Sequence, residues 1–190
     1  IGFWPGGDRD GNPFVTPEIT LKVAARLRET IIKNYHRDIR ELRRKLTFNG
    51  VEHRIIELET QLYNIITHQK ATLTLDSFTQ ELKEIKQLII DKHQSLYITQ
   101  INSLLNKVHL FGFHFANLDI RQDSRKHAQF FNTLVTALTE SGSAIFPENY
   151  FDLAENEQIE ILSKVQGKVD LSLIKDEQTL KALHTMKAIK

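Results

Sequence analysis

Between Ile19 and Leu46 the chain carries Ile19, Val23, Leu27, Ile31, Tyr35, Ile39, Leu42 and Leu46, spaced three or four apart with no glycine or proline between them. Such a stripe is one face of an α-helix. Thr16-Pro17-Glu18 opens it with a capping hydroxyl, a proline at the first helical position and an acid facing the dipole. The pattern predicts a helix of about thirty residues, roughly 45 Å long at ~1.5 Å per residue, ended by Asn49-Gly50. A rod of that length has to bury its stripe against other helices.

Candidates follow at once. Val51–Gln69 carries Ile55, Leu58, Leu62 and Ile65 on one side, and a helix capped by Asp76 or Ser77 carries Phe78, Leu82, Ile85, Leu88 and Ile89. Ser95–His109 presents Ile98, Ile101, Leu105 and Val108. These stripes read as core packing ahead of partner-helix binding. Arg37, Arg40, Arg43, Arg44 and Lys45 fall in the last turns of the first helix, where cations complement the dipole; they read as a solvated face rather than a binding patch.

The period then changes. In Phe111–Ile120 the aromatics Phe111, Phe113 and Phe115 alternate, which predicts a buried strand of parallel type ending near Arg121. Asp123 or Ser124 caps the next helix, which carries Phe130, Phe131, Leu134, Val135 and Leu138 up to Glu140-Ser141-Gly142. Beyond Phe146-Pro147, short helices are expected over Asp152–Val165 and Asp176–Lys190, with Gly167 as a stop between them. The fold class is mainly α, with one or two short parallel-type strands; Phe3-Trp4 is the second candidate strand. Helix, strand and helix in succession form the unit of an α/β barrel, whose catalytic groups sit where strands hand over to loops.

Two polar runs stand at such places. Phe3–Pro13 packs three glycines, two prolines and the alternation Asp8-Arg9-Asp10 into eleven residues. Glycines let the backbone turn and let a ligand come close. A guanidinium is a planar fork suited to carboxylate or phosphate oxygens, and flanking acids would hold it in one orientation. The plainer reading is an ordinary turn closed by a local ion pair. The second run is Leu118-Asp119-Ile120-Arg121-Gln122-Asp123-Ser124. If both follow strands, they face one cavity.

Composition narrows the function. Twenty-five basic against 24 acidic residues give a net charge of +1, which argues against nucleic acid as a partner. No apolar run approaches membrane-spanning length, no signal-peptide pattern is visible, and the absence of cysteine suits a cytoplasmic protein. Eight histidines include no pair of metalloprotease type, and neither a P-loop nor a serine elbow occurs. His109 and His114 flank the expected strand and read as hydrogen-bonded structural or surface imidazoles ahead of cavity lining.

Trp4-Pro5-Gly6-Gly7-Asp8-Arg9-Asp10-Gly11-Asn12-Pro13, followed by Phe111-Gly112-Phe113 and Leu118 through Ser124, resembles the phosphoenolpyruvate carboxylase family. The family has Met at the place of Pro5, Arg at that of Asn117 and Glu at that of Asp123. Asn117 removes any role that a cation there would have. The resemblance implies a lyase that adds bicarbonate to phosphoenolpyruvate, giving oxaloacetate for the tricarboxylic acid cycle and phosphate, with Mg²⁺ or Mn²⁺. It implies carbon dioxide fixation by a cytoplasmic homo-oligomer.

Family members are several times longer, and this chain opens on Ile1 with Met186 its only methionine, so an internal fragment of a larger barrel enzyme is expected. Residues 1–15 would then be an active-site loop, 16–110 a helical segment, 111–123 a barrel strand and loop, and 124–190 a second helical segment. The family's catalytic histidine and metal-ligand segments are not in this chain. The fragment alone is therefore expected to be inactive and to bind no metal. The resemblance assigns substrate binding to Arg9, with Asp8, Asp10, Gly7, Asn12, Asp119, Arg121 and Gln122 around it. A structural ion pair is the alternative for Asp119 and Arg121. For the whole chain the alternatives are a non-catalytic helical interaction or scaffold domain, or a barrel enzyme acting on another small acid.

Overall fold

The computed structural model describes residues 2–9, 12, 14–166 and 171–189. In chain order these form β1 (Gly2–Phe3), α1 (Pro17–Arg43), α2 (Glu52–Ile66), α3 (Leu75–Lys92), α4 (Ile98–Phe111), β2 (Asn117–Leu118), α5 (Ser124–Glu140), α6 (Glu155–Lys164) and α7 (Glu177–Ile189), with 3₁₀ turns at Tyr150–Asp152 and Leu171–Leu173. The expected class holds: the fold is mainly α, with one two-stranded parallel sheet. Gly167, the expected stop, lies outside the described residues. Among the described residues no helix is long and apolar enough to cross a membrane.

Contacts divide the chain into two units, one made of residues 1–3 and 22–119, the other of 4–21 and 120–190. The first is a helical bundle. Ile31, Tyr35, Ile39 and Leu42 of α1 meet Ile55, Leu58 and Leu62 of α2, Phe78, Leu82, Ile85 and Ile89 of α3, and Ile101, Leu104 and Val108 of α4 in one core. Spacings of three and four keep each row on one face. Each buried aliphatic contributes roughly 1.5–3 kcal/mol, so this core is the unit's main source of stability.

Several boundaries differ from expectation. α1 ends at Arg43, not at Asn49-Gly50, yet Leu46 is fully buried. The N–H groups of Lys45 and Leu46 both turn back onto the Leu42 carbonyl, so the apolar period outlasts the helix. At the other end, Ile19 is 40% exposed, so the buried stripe begins later than the sequence pattern. α3 is capped by Thr74, neither by Asp76 nor by Ser77 acting as cap. Thr74 Oγ1 accepts from the Ser77 N–H at 3.1 Å, while the Ser77 hydroxyl accepts from the Thr74 N–H at 2.9 Å.

The largest correction concerns the aromatic run. Phe111 closes α4, and only Asn117–Leu118 is strand. The Phe115 N–H donates to the Phe111 carbonyl at 2.9 Å and the two rings stack at 5.4 Å. Residues four apart at a helix end thus mimic the alternation of a strand. Phe113, between them, points into the core against Tyr35 and Phe78. Gly112 makes the turn with φ +52, and its carbonyl accepts from the Tyr35 hydroxyl at 2.8 Å. That turn leads to β2, which pairs with β1 in the register Gly2 to Asn117 and Phe3 to Leu118. The expected second strand is therefore present, over Gly2–Phe3 and not Phe3-Trp4.

In the second unit, α5 begins as expected with Asp123 as its cap, accepting from the Arg125 N–H at 2.9 Å. It buries Val135 and Leu138 against Phe146 and Tyr150, whose rings meet edge-on at 5.0 Å. α5 and α7 lie against each other.

Candidate functional site

The glycine run starts immediately after β1. The Trp4 carbonyl accepts from the N–H groups of Gly7 at 2.9 Å and Asp8 at 3.1 Å, closing a turn in which Gly6 has φ +82. That conformation is open to glycine and costs other residues. Gly7 is buried within the turn.

The turn delivers the next residues to the second polar run. Arg121 donates its N–H to the Gly7 carbonyl at 3.1 Å, and Arg9 donates its own to the Arg121 carbonyl at 3.0 Å. This is a parallel bridge with Asp8 opposite Arg121. Two motifs more than a hundred positions apart are thus joined through their backbones. Side chains alternate across such a bridge, so Asp8 and Arg121 share one face while Arg9 takes the other.

The inner face holds a cavity of about 460 Å³, with Arg9, Asn12 and Gln122 in its wall beside Lys126, His184 and Thr185. Arg9 is only 7% exposed. Its Nη2 donates to Thr20 Oγ1 at 2.8 Å and its Nη1 to Thr185 Oγ1. Both hydroxyls spend their own protons on carbonyls, Thr20 on Gly6 at 2.6 Å and Thr185 on Lys181 at 2.8 Å, and so turn lone pairs toward the guanidinium. The Nε of Arg9 is buried without a partner among the described residues. Burial lowers the Arg9 pKa, and the charge of Glu18 opposes that shift. An arginine remains protonated regardless. Glu18 in turn is held below its ordinary value, chiefly by a hydrogen bond from Thr16.

On the outer face Arg121 is exposed, and its guanidinium carbon lies 4.4 Å from the centroid of the Trp4 ring. Asp119 belongs to the first unit, where its N–H donates to the Phe3 carbonyl at 3.0 Å and its carboxylate lies beside Gly2. Asn12 is exposed and its side chain accepts from the Phe14 N–H at 3.0 Å. Asp10 lies outside the described residues.

The expected residues therefore sort into groups: Arg9, Gln122 and Asn12 around the cavity, Asp8 and Arg121 across the bridge from them, and Asp119 just beyond β2. His109 and His114 are exposed. Sequence reasoning missed Thr20 and Thr185. Thr20 stands one helical turn after Thr16, on the side of α1 that faces its own loop, which is a readable signal. Thr185 carries none.

Among the described residues no group of three or more His, Asp or Glu is placed to hold a metal ion. Chemically, the arrangement offers one exposed guanidinium over an indole and one seated between two threonine hydroxyls, and a guanidinium suits a small anion.

The sequence matches the family model for phosphoenolpyruvate carboxylase over residues 1–73 and 52–190. A phosphoenolpyruvate carboxylase of Prochlorococcus marinus subsp. pastoris is 27% identical over 225 aligned residues, covering 86% of this chain and 22% of the relative. That of Nitrosomonas eutropha is 29% identical over 203, covering 85% and 21%. That of Parasynechococcus marenigrum is 25% identical, covering 84% and 21%. The chain spans about a fifth of the length of these relatives. With the family model matching throughout and both polar runs joined in one bridge, the chain belongs to the phosphoenolpyruvate carboxylase family.

Proposed function

We propose that this chain is the part of a phosphoenolpyruvate carboxylase that contributes guanidinium groups to the substrate site. The whole enzyme is a lyase of a larger α/β barrel, in the cytoplasm and as a homo-oligomer. It joins the carbon of bicarbonate to the enol carbon of phosphoenolpyruvate, releasing phosphate and forming oxaloacetate. The chain alone is inactive, since it is about a fifth of its relatives. The observation that carries this reading is the bridge that joins the loops of Arg9 and Arg121 through their backbones.

Arg121 is the direct contact in this reading. It is exposed, and its planar fork matches the paired oxygens of a carboxylate or phosphate. As the enol oxygen parts from phosphorus, negative charge builds on both fragments. A guanidinium already held in place stabilises that charge better than water, which must reorient. Arg9 acts from behind. Its charge is paired with neutral hydroxyls, so its field is not cancelled at contact, and its hydrogen bonds fix the loop that carries Asp8. Gly7 and Asn12 shape that loop; Asp10 is assigned to it as well. Gln122 and Asp119 complete the walls of the two strand-end runs.

The family's divalent ion, Mg²⁺ or Mn²⁺, would supply Lewis-acid stabilisation to the substrate when bound. The described residues do not fit it, so its ligands, like the catalytic histidine, are assigned to other segments of the whole enzyme. Arg121→Ala in the whole enzyme tests the assignment. Loss of one charge-assisted contact of about 1.5–3 kcal/mol lowers kcat/KM for phosphoenolpyruvate at least about tenfold. An unchanged value removes Arg121 from the site.

A further inference from the structure

The indole of Trp4 is 54% exposed, an unusual state for the largest apolar side chain, and it gains little from burial where it stands. The guanidinium of Arg121 lies over its face, at 4.4 Å from the ring centroid. Tryptophan is the strongest of the aromatic partners for a cation, and an arginine that stacks keeps its N–H edges pointing outward in the ring plane.

The placement of the ring is itself built in. Trp4 supplies the carbonyl that closes the glycine turn, taking N–H groups from Gly7 and Asp8. The Arg121 backbone is tied to the far end of that turn through the Gly7 carbonyl at 3.1 Å and the Arg9 N–H at 3.0 Å. One closed set of backbone hydrogen bonds therefore fixes the two points from which the ring and the guanidinium project, and brings them within stacking reach of each other. Ordering a long arginine side chain for anion binding costs conformational entropy, and a ring face stacked against it lowers that cost.

We infer that Trp4 is a positioning residue: its face holds the Arg121 guanidinium in the one orientation that meets the anionic substrate, so that part of the ordering cost is met before binding. This rests on the reading of Arg121 as a substrate contact. Trp4 acts through Arg121 and takes no part in bond making.

The test uses the whole enzyme with Trp4→Leu, Trp4→Phe, Arg121→Ala and the Trp4→Leu/Arg121→Ala pair. Because a stacked cation contributes about 1 kcal/mol or more, Trp4→Leu is expected to raise KM for phosphoenolpyruvate about five- to tenfold with kcat nearly unchanged. Trp4→Phe keeps an aromatic face and should recover most of that loss. In the Arg121→Ala background, Trp4→Leu should add nothing further.

A merely structural tryptophan would give a different pattern. Its loss would lower the amount of active enzyme, hence kcat, and Phe would rescue no better than Leu. Equal KM values for Leu and Phe variants, or an undiminished Trp4→Leu effect without Arg121, overturn the inference. If instead Arg121→Ala leaves KM and kcat untouched, the substrate assignment of Arg121 fails first, and the inference goes with it.

Discussion

Removing the single phenol oxygen of Tyr35 isolates one hydrogen bond that fixes the turn before β2. Tyr35 is fully buried, and its hydroxyl lies 2.8 Å from the Gly112 carbonyl and 3.2 Å from that of Lys107. Phenylalanine in its place keeps the ring contacts with Phe78 at 5.6 Å and Phe113 at 6.2 Å, so no cavity of consequence opens. The cost is the partly buried carbonyl left without the phenol donor, about 2 kcal/mol. For a chain of this size that corresponds to a fall in Tm of roughly 4–8 °C by calorimetry or circular dichroism.

The same group gives the effect a pH signature. Burial pushes the Tyr35 phenol well above its ordinary value, with the charge of Asp38 adding to the shift. A group whose folded pKa is raised contributes stability that is complete below the unfolded value and fades as pH rises through it. The stability margin of the wild type over Tyr35→Phe should therefore be constant up to about pH 9 and shrink above about pH 10, where the unfolded phenol ionises. A Tm change under about 1 °C at neutral pH, far below the fall expected from losing the phenol donor, would show that the oxygen does not carry the turn. A margin that grows with alkali would refute the burial argument.

Two further outcomes concern the loop itself. Arg9→Ala in the whole enzyme should lower kcat/KM for phosphoenolpyruvate at least about tenfold, because two charge-assisted hydrogen bonds of about 1.5–3 kcal/mol each are lost, and Arg9→Lys, unable to span Thr20 and Thr185, should restore little of it. Gly6→Ala forces a Cβ into a left-handed conformation at a cost of about 1–2 kcal/mol. It should be seen as faster hydrogen exchange at the Gly7 and Asp8 amides, whose bonds to the Trp4 carbonyl close the turn.

What could be read in advance was whatever repeats or caps locally. The stripe through Ile31, Tyr35, Ile39 and Leu42 marked α1, and Asp123 marked the start of α5, because each signal is confined to a turn or two of backbone. The cap of α3 was less legible. Thr74, Asp76 and Ser77 all carry a suitable oxygen, and only the extended backbone at Thr74, with ψ 166, selects among them. The aromatic run misled for a geometric reason: partners four apart around a helix end and neighbours two apart along a strand place the same residues in phase.

The sorting of Arg9 and Arg121 onto opposite faces was out of reach for a different reason. It depends on register between loops far apart in sequence, and alternation has no origin until that register is fixed. Thr185 was equally hidden, since a lone threonine on a helix announces no partner.

The two-residue sheet has a consequence for how the site comes into being. Phe3 pairs with Leu118, a separation of 118 − 3 = 115 positions closed by a ladder of only two pairs. The entropy lost in drawing such distant ends together grows slowly with length but is still several times what so few backbone bonds return. The helices between must shorten that span first. Late assembly follows: in a refolding time course the bundle should acquire its ellipticity before the tryptophan senses a cation. A lesion deep in the Ile39 or Leu82 layer, touching no polar group, should then present itself to the enzymologist as poor substrate affinity.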